Sequence, residues 1–102
     1  MLRFIINAFF PSTFIFPDGS RIDYLIRDDC LRYTAAAPKR DVVEIPLIYD
    51  TVRKRSRMDQ SVAWRWRSDD AVLTEKERSD VIRKANEFVA RRPREFEVGP
   101  VR

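Results

Sequence analysis

LTEKERSDVIRKANEFVARR, residues Leu73 to Arg92, is the stretch that decides the fold. Thr74 is a natural helix N-cap. Glu77, three residues on, completes a capping box in which each side chain satisfies an otherwise unpaired backbone N–H. Val81, Ile82, Ala85, Phe88 and Val89 follow at helical spacing and draw one apolar stripe along the predicted helix. Asp80 with Lys84, and Glu87 with Arg91, stand four apart on the solvated side, acid before base, which is the favourable order. Pro93 ends the helix, because it lacks an N–H and restricts the residue before it.

Outward from that helix the chain reads as strands and turns. Thr13 to Phe16 and Arg21 to Arg27 are joined by Pro17-Asp18-Gly19-Ser20, where Gly19 accepts the left-handed position that closes a hairpin. Ile22, Tyr24 and Ile26 form the apolar face of the second strand. Cys30 to Ala35 is a third strand, with Leu31 and Tyr33 on one face. Val42 to Tyr49 is a fourth, with Val43, Ile45 and Leu47 inward. Pro46 cannot donate to a ladder, so this strand is expected at an edge or with a bulge. Asp50 to Ser61 reads as a positively charged loop. Val62 to Arg67 reads as a fifth strand, with Val62, Trp64 and Trp66 sharing a face. Beyond the helix, Arg94 to Val98 alternates once more, with Phe96 and Val98 inward. The expected class is α+β: an antiparallel sheet of five to six strands packed against one C-terminal helix, followed by a short final strand.

With 102 residues the chain is a single domain, 1–102, able to bury one modest core. Residues 1–12 are apolar and read as a first strand or a docking arm; Phe9 and Phe10 need cover, which a homodimer through Leu2 to Phe10 would supply. The apolar run is short, Pro11 follows it, and no small-residue cleavage site of the expected kind is visible, so a signal peptide is disfavoured. No run is long enough to span a membrane. Cys30 is the one cysteine, which rules out an intrachain disulfide and fits a cytoplasmic location. Histidine is absent, and with it the Ser-His and Cys-His nucleophile pairs, the usual general base and most transition-metal sites. Only Gly19 and Gly99 are glycines, so no phosphate-binding glycine loop exists, and no carboxylates fall at calcium-loop spacing. No catalytic residue, metal ligand or cofactor is therefore expected.

Twenty Lys and Arg against 16 Asp and Glu leave a net charge of +4. The cations concentrate in Arg53, Lys54, Arg55 and Arg57, followed by Arg65 and Arg67. Arginine forks match carboxylate and phosphate alike, so both an acidic protein and a nucleic acid suit this set. A solvated loop with no ligand is the plainer account of such a charge run. Trp64 and Trp66 would stack on bases if exposed; packing on Val81, Ala85 and Phe88 is the simpler reading. Cys30 follows Asp28 and Asp29, surroundings that disfavour a thiolate, and reads as an ordinary strand residue.

A Trp-containing strand, Trp64 and Trp66, followed by an acid-capped helix with Leu73, Thr74, Glu77 and Arg78, resembles the layout of small bacterial immunity proteins of polymorphic and contact-dependent toxin systems. The likeness spans roughly residues 20 to 98. It implies a non-catalytic inhibitor that occludes a toxin, with no binding residues carried over, since such families differ in which surface meets the toxin. Many of them are acidic because their toxins are basic nucleases; this basic chain departs from that, which implies a target that is acidic or that does not act on nucleic acid. The expected function is thus binding to a protein partner through Arg53, Lys54, Arg55 and Arg57, with Arg65 and Arg67 added if loop and strand lie together. The alternative is a small nucleic-acid-binding module using the same arginines on phosphates and the Trp64/Trp66 strand on bases. A histidine-free nuclease is a third, weaker reading.

Overall fold

A computed structural model describes residues 12–99, so the first-strand or docking-arm reading of Leu2 to Phe10, and the dimer built on it, lie outside the described residues. Five strands run in the order β1-β2-β3-β4-β5: β1 Thr13–Ile15, β2 Arg21–Leu25, β3 Cys30–Thr34, β4 Val42–Asp50 and β5 Arg55–Met58. Every neighbouring pair is antiparallel. Among the described residues one α-helix, α1, spans Glu75–Ala90, so the architecture is α+β as expected. Thr74 accepts from the Glu77 N–H at 3.1 Å and Glu77 accepts from the Thr74 N–H at 2.9 Å, which is the capping box read from sequence.

Cross-strand register gathers the core into rows on one face of the sheet. Phe14, Ile22, Tyr33 and Val43 stand opposite one another across four strands, and Val43 bridges to Trp66. Tyr24, Leu31 and Ile45 form the next row, and Leu47 faces Met58 beyond it. The helix lays Val81, Ile82, Ala85, Phe88 and Val89, all buried, on these rows. Phe96 packs edge-on against Tyr24 at 5.0 Å and Phe88 at 6.2 Å, and the Arg92 guanidinium covers all three rings at 5.3–6.0 Å. That contact adds cation–π attraction to the burial of its stem.

Five sequence expectations need correction. The second strand ends at Leu25, so Ile26 leaves its apolar face for a short 3-10 turn, Ile26–Asp28, and is exposed. Residues Asp50 to Ser61 are not one loop, since Arg55–Met58 forms β5 with Ser56 and Met58 buried. The Arg-Ser-Arg-Met alternation is too short and too polar for a hydrophobic pattern to register. Val62 to Arg67 is not a continuous strand. Only the Val43–Trp66 and Arg65–Val72 bridges form there, with Trp64 and Trp66 buried and Val62 exposed. The closing segment Arg94 to Val98 contributes one parallel bridge, Ser56 to Phe96, while Val98 turns to solvent.

Finally, β4 is not an edge strand, since it lies between β3 and β5. Val42–Pro46 pairs with β3 and Leu47–Asp50 with β5, so the proline sits where the strand changes partner. The Asp59 N–H donates to the Pro46 carbonyl at 2.8 Å, but Pro46 has no N–H to return. The indole N–H of Trp64 takes that place, donating to the Asp59 carbonyl at 3.0 Å.

Helix and sheet are also tied by charge. Lys84 Nζ lies 2.6 Å from the Asp18 carboxylate in the β1–β2 turn and 3.2 Å from Asp80, and also donates to the Tyr33 hydroxyl. Burial raises the Asp18 carboxyl pKa, but hydrogen bonds from Lys84, the Ser20 hydroxyl and the Ser20 N–H outweigh it and bring the value from 3.8 down to about 2. Burial opposes the Lys84 charge, and its bonds to Asp18 and Tyr33 more than reverse this, so Lys84 stays protonated well beyond the usual lysine range. A carboxyl with a depressed folded-state pKa adds stability that is present above its ordinary pKa and lost as pH falls through the folded value. The Asp18 side chain is 49% exposed, so solvent screening reduces the pair to ~1 kcal/mol. Urea unfolding of wild type and Asp18→Asn should therefore differ by ~1 kcal/mol at pH 5 and converge near pH 2. A difference that persists at pH 2 would count against the ion pair as its source.

Candidate binding surface

The cations singled out by sequence fall into two groups. Arg53, Lys54, Arg55 and Arg57 all belong to the β4–β5 hairpin. Its turn is built by Asp50, whose carboxylate accepts the N–H groups of Val52 at 2.9 Å and Arg53 at 3.1 Å, while its carbonyl accepts the Lys54 N–H at 2.7 Å. The bonds from Arg53 and then Val52 pull the Asp50 carboxyl below its ordinary range. Lys54 closes the turn at φ 57°, a left-handed conformation that costs a non-glycine residue about 1 kcal/mol. In β5, alternation sends Ser56 and Met58 into the core and leaves Arg55 and Arg57 exposed, opposite Asp50 and Ile48.

Arg53 pairs with Glu97 at 2.7 Å, which ties the hairpin to the segment after α1. Lys54, Arg55 and Arg57 make no side-chain ion pair among the described residues. Their charge is therefore turned outward with nothing in the described chain to neutralise it at contact distance.

Arg65 and Arg67 do not join this patch. Arg65 donates to the Asp70 carbonyl at 3.0 Å, closing its own loop. Arg67 forms an ion pair with Glu44 and extends a row of opposed groups, Thr13, Asp23, Arg32 and Glu44, that crosses the sheet on the face away from α1. Glu44 lies four residues along β4 from Ile48, the partner of Arg57, or about 13 Å at strand rise.

The tryptophans are core. Trp64 is 1% exposed and Trp66 6%, with Arg78 over the first ring at 4.6 Å and Lys39 over the second at 3.9 Å. Neither ring offers a free face to a base, so a nucleic acid would meet the hairpin cations without a stacking platform. Cys30 is buried, and burial pushes its thiol pKa up, with Glu44 and Asp28 adding to the rise. This matches its reading as an ordinary strand residue. Among the described residues, no three His, Cys, Asp or Glu side chains converge on a common point, and no helix is long and apolar enough to cross a membrane.

Sequence reasoning missed the apolar part of the hairpin. Val52 at its tip is 89% exposed, and Tyr49 and Ile48 are exposed along β4. The one signal was an apolar residue inside the otherwise polar run Thr51-Val52-Arg53-Lys54, which says nothing about direction until the turn is known.

No family model, no curated protein and no solved structure matches this chain.

Proposed function

We propose that this protein is a non-catalytic binding protein that acts by covering a surface of a protein partner through the β4–β5 hairpin. Immunity-type inhibition of a bacterial toxin is the specific form its layout suggests. What carries the proposal is that Lys54, Arg55 and Arg57 stand exposed, without ion pairs among the described residues, on a hairpin whose turn is fixed by Asp50. A pre-ordered, charged surface loses little entropy on docking and speeds encounter with a surface of opposite sign. The partner surface is accordingly acidic, and the mechanism is occlusion.

The test is affinity capture from a native-host lysate, with and without nuclease, using the wild-type chain and an Arg55→Glu/Arg57→Glu variant as baits. One stoichiometric protein that survives nuclease and is lost with the variant supports the proposal. A set of ribosomal and nucleic-acid-associated proteins that disappears with nuclease overturns it in favour of a nucleic-acid-binding module.

A further inference from the structure

Building on the protein-binding reading above, we infer that the partner's acidic surface carries an apolar socket that receives Val52. Val52 is the most exposed large apolar residue among the described residues, at 89%, and it is not exposed by slack in the chain. Its own N–H and that of Arg53 are held by the Asp50 carboxylate, and the Lys54 N–H by the Asp50 carbonyl, so the side chain is held out at the tip. Interface anchors have this form: an apolar side chain projected from an ordered element, entering a pocket and ringed by polar contacts that exclude water.

Polar contacts surround it. Lys54 and Arg55 follow the tip without ion pairs among the described residues, while Tyr49, 52% exposed and opposite Ser56, lies on the other face of the hairpin. Beside Arg57 a depression of about 520 Å³ is lined by Ile48, Met58 and Val98 together with the carboxylates of Asp59 and Glu97, so it suits an apolar partner side chain, and partner acids meet the arginines outside it. Charge complementarity thus fixes the sign of the partner, and the tip fixes the apolar feature at its centre. A lipid surface fits less well. Only Val52 is almost fully exposed, while Ile48 is 37% exposed and largely held in the sheet, too little apolar surface for a stable interfacial anchor.

Random peptides displayed on phage are selected on the immobilised full-length chain, and the enriched consensus peptide is titrated against wild type, Val52→Ser and Arg55→Ser/Arg57→Ser. The expected consensus combines Asp or Glu with clustered Leu, Ile or Phe. It binds Val52→Ser at least about tenfold more weakly than wild type, while circular dichroism shows both equally folded. A consensus without acids, no enrichment at all, or equal affinity for Val52→Ser overturns the inference. If affinity falls only with the arginine pair, the apolar socket is lost while the protein-binding reading stands. Co-sedimentation with phosphatidylserine vesicles that depends on Val52 would replace the socket with a membrane. Loss of all lysate capture on nuclease treatment would instead remove the protein-binding reading itself.

Discussion

Trp64→Ala should lower the unfolding free energy by about 3–5 kcal/mol, the usual cost of removing a large buried aromatic side chain. For a domain of this size that is a large part of the total of about 5–15 kcal/mol. The ring is 1% exposed and does three things at once. It fills the space beneath α1. It carries the Arg78 guanidinium on its face at 4.6 Å, and that guanidinium in turn donates to the Gln60 carbonyl at 2.6 Å and the Val62 carbonyl at 3.0 Å. Its N–H also satisfies the Asp59 carbonyl that Pro46 cannot reach.

Trp64→Phe separates these roles. It keeps most of the bulk and orphans one acceptor, so about 1–3 kcal/mol is expected. Urea unfolding followed by the fluorescence of Trp66 measures both variants, with the midpoint moving and the slope unchanged. A loss below about 1 kcal/mol for the alanine variant would show that the site is not the packed centre described above.

The second large effect is on binding. Arg55→Glu/Arg57→Glu should weaken the partner complex by about a hundredfold, or ~2.7 kcal/mol, mainly through slower association and a flatter salt dependence. No carboxylate touches either arginine among the described residues, but the reversal sets a Glu directly opposite Asp50, so a stability loss of up to about 1 kcal/mol is expected. Arg55→Ser alone, compared with Arg65→Ser, gives the charge-matched control, since each removes one positive charge and Arg65 closes its own loop on Asp70. Stopped-flow association at two salt concentrations distinguishes the cases. If Arg65→Ser weakens the complex as much as Arg55→Ser does, net charge governs binding and the hairpin has no special role.

Helix α1 was legible to within a turn, because capping and helical period are local properties of twenty consecutive residues. The early strands were legible in large part for the same reason: Ile22, Leu31, Tyr33, Val43 and Ile45 fall at every second position of their strands and are buried, although Ile26 is not. The arginine set was legible as a list but not as a surface. Ion pairing depends on residues far apart in sequence, and only the fold brings Glu97 to Arg53 and Glu44 to Arg67 while leaving Arg55 and Arg57 without an ion pair among the described residues.

By itself, then, the sequence determined the class of the fold, the cap and face of its helix, the faces of β3 and β4 and the absence of histidine chemistry. The tertiary structure decided that Arg-Ser-Arg-Met is a strand, because pairing with Leu47–Asp50 and burial of Ser56 and Met58 outweigh its weak local preference. It decided that Pro46 belongs inside the sheet, because a change of strand partner and a tryptophan N–H absorb the missing donor. It also turned Val52 outward, since the direction of a side chain at a hairpin tip follows from the turn's hydrogen bonds and not from the residue's own hydrophobicity.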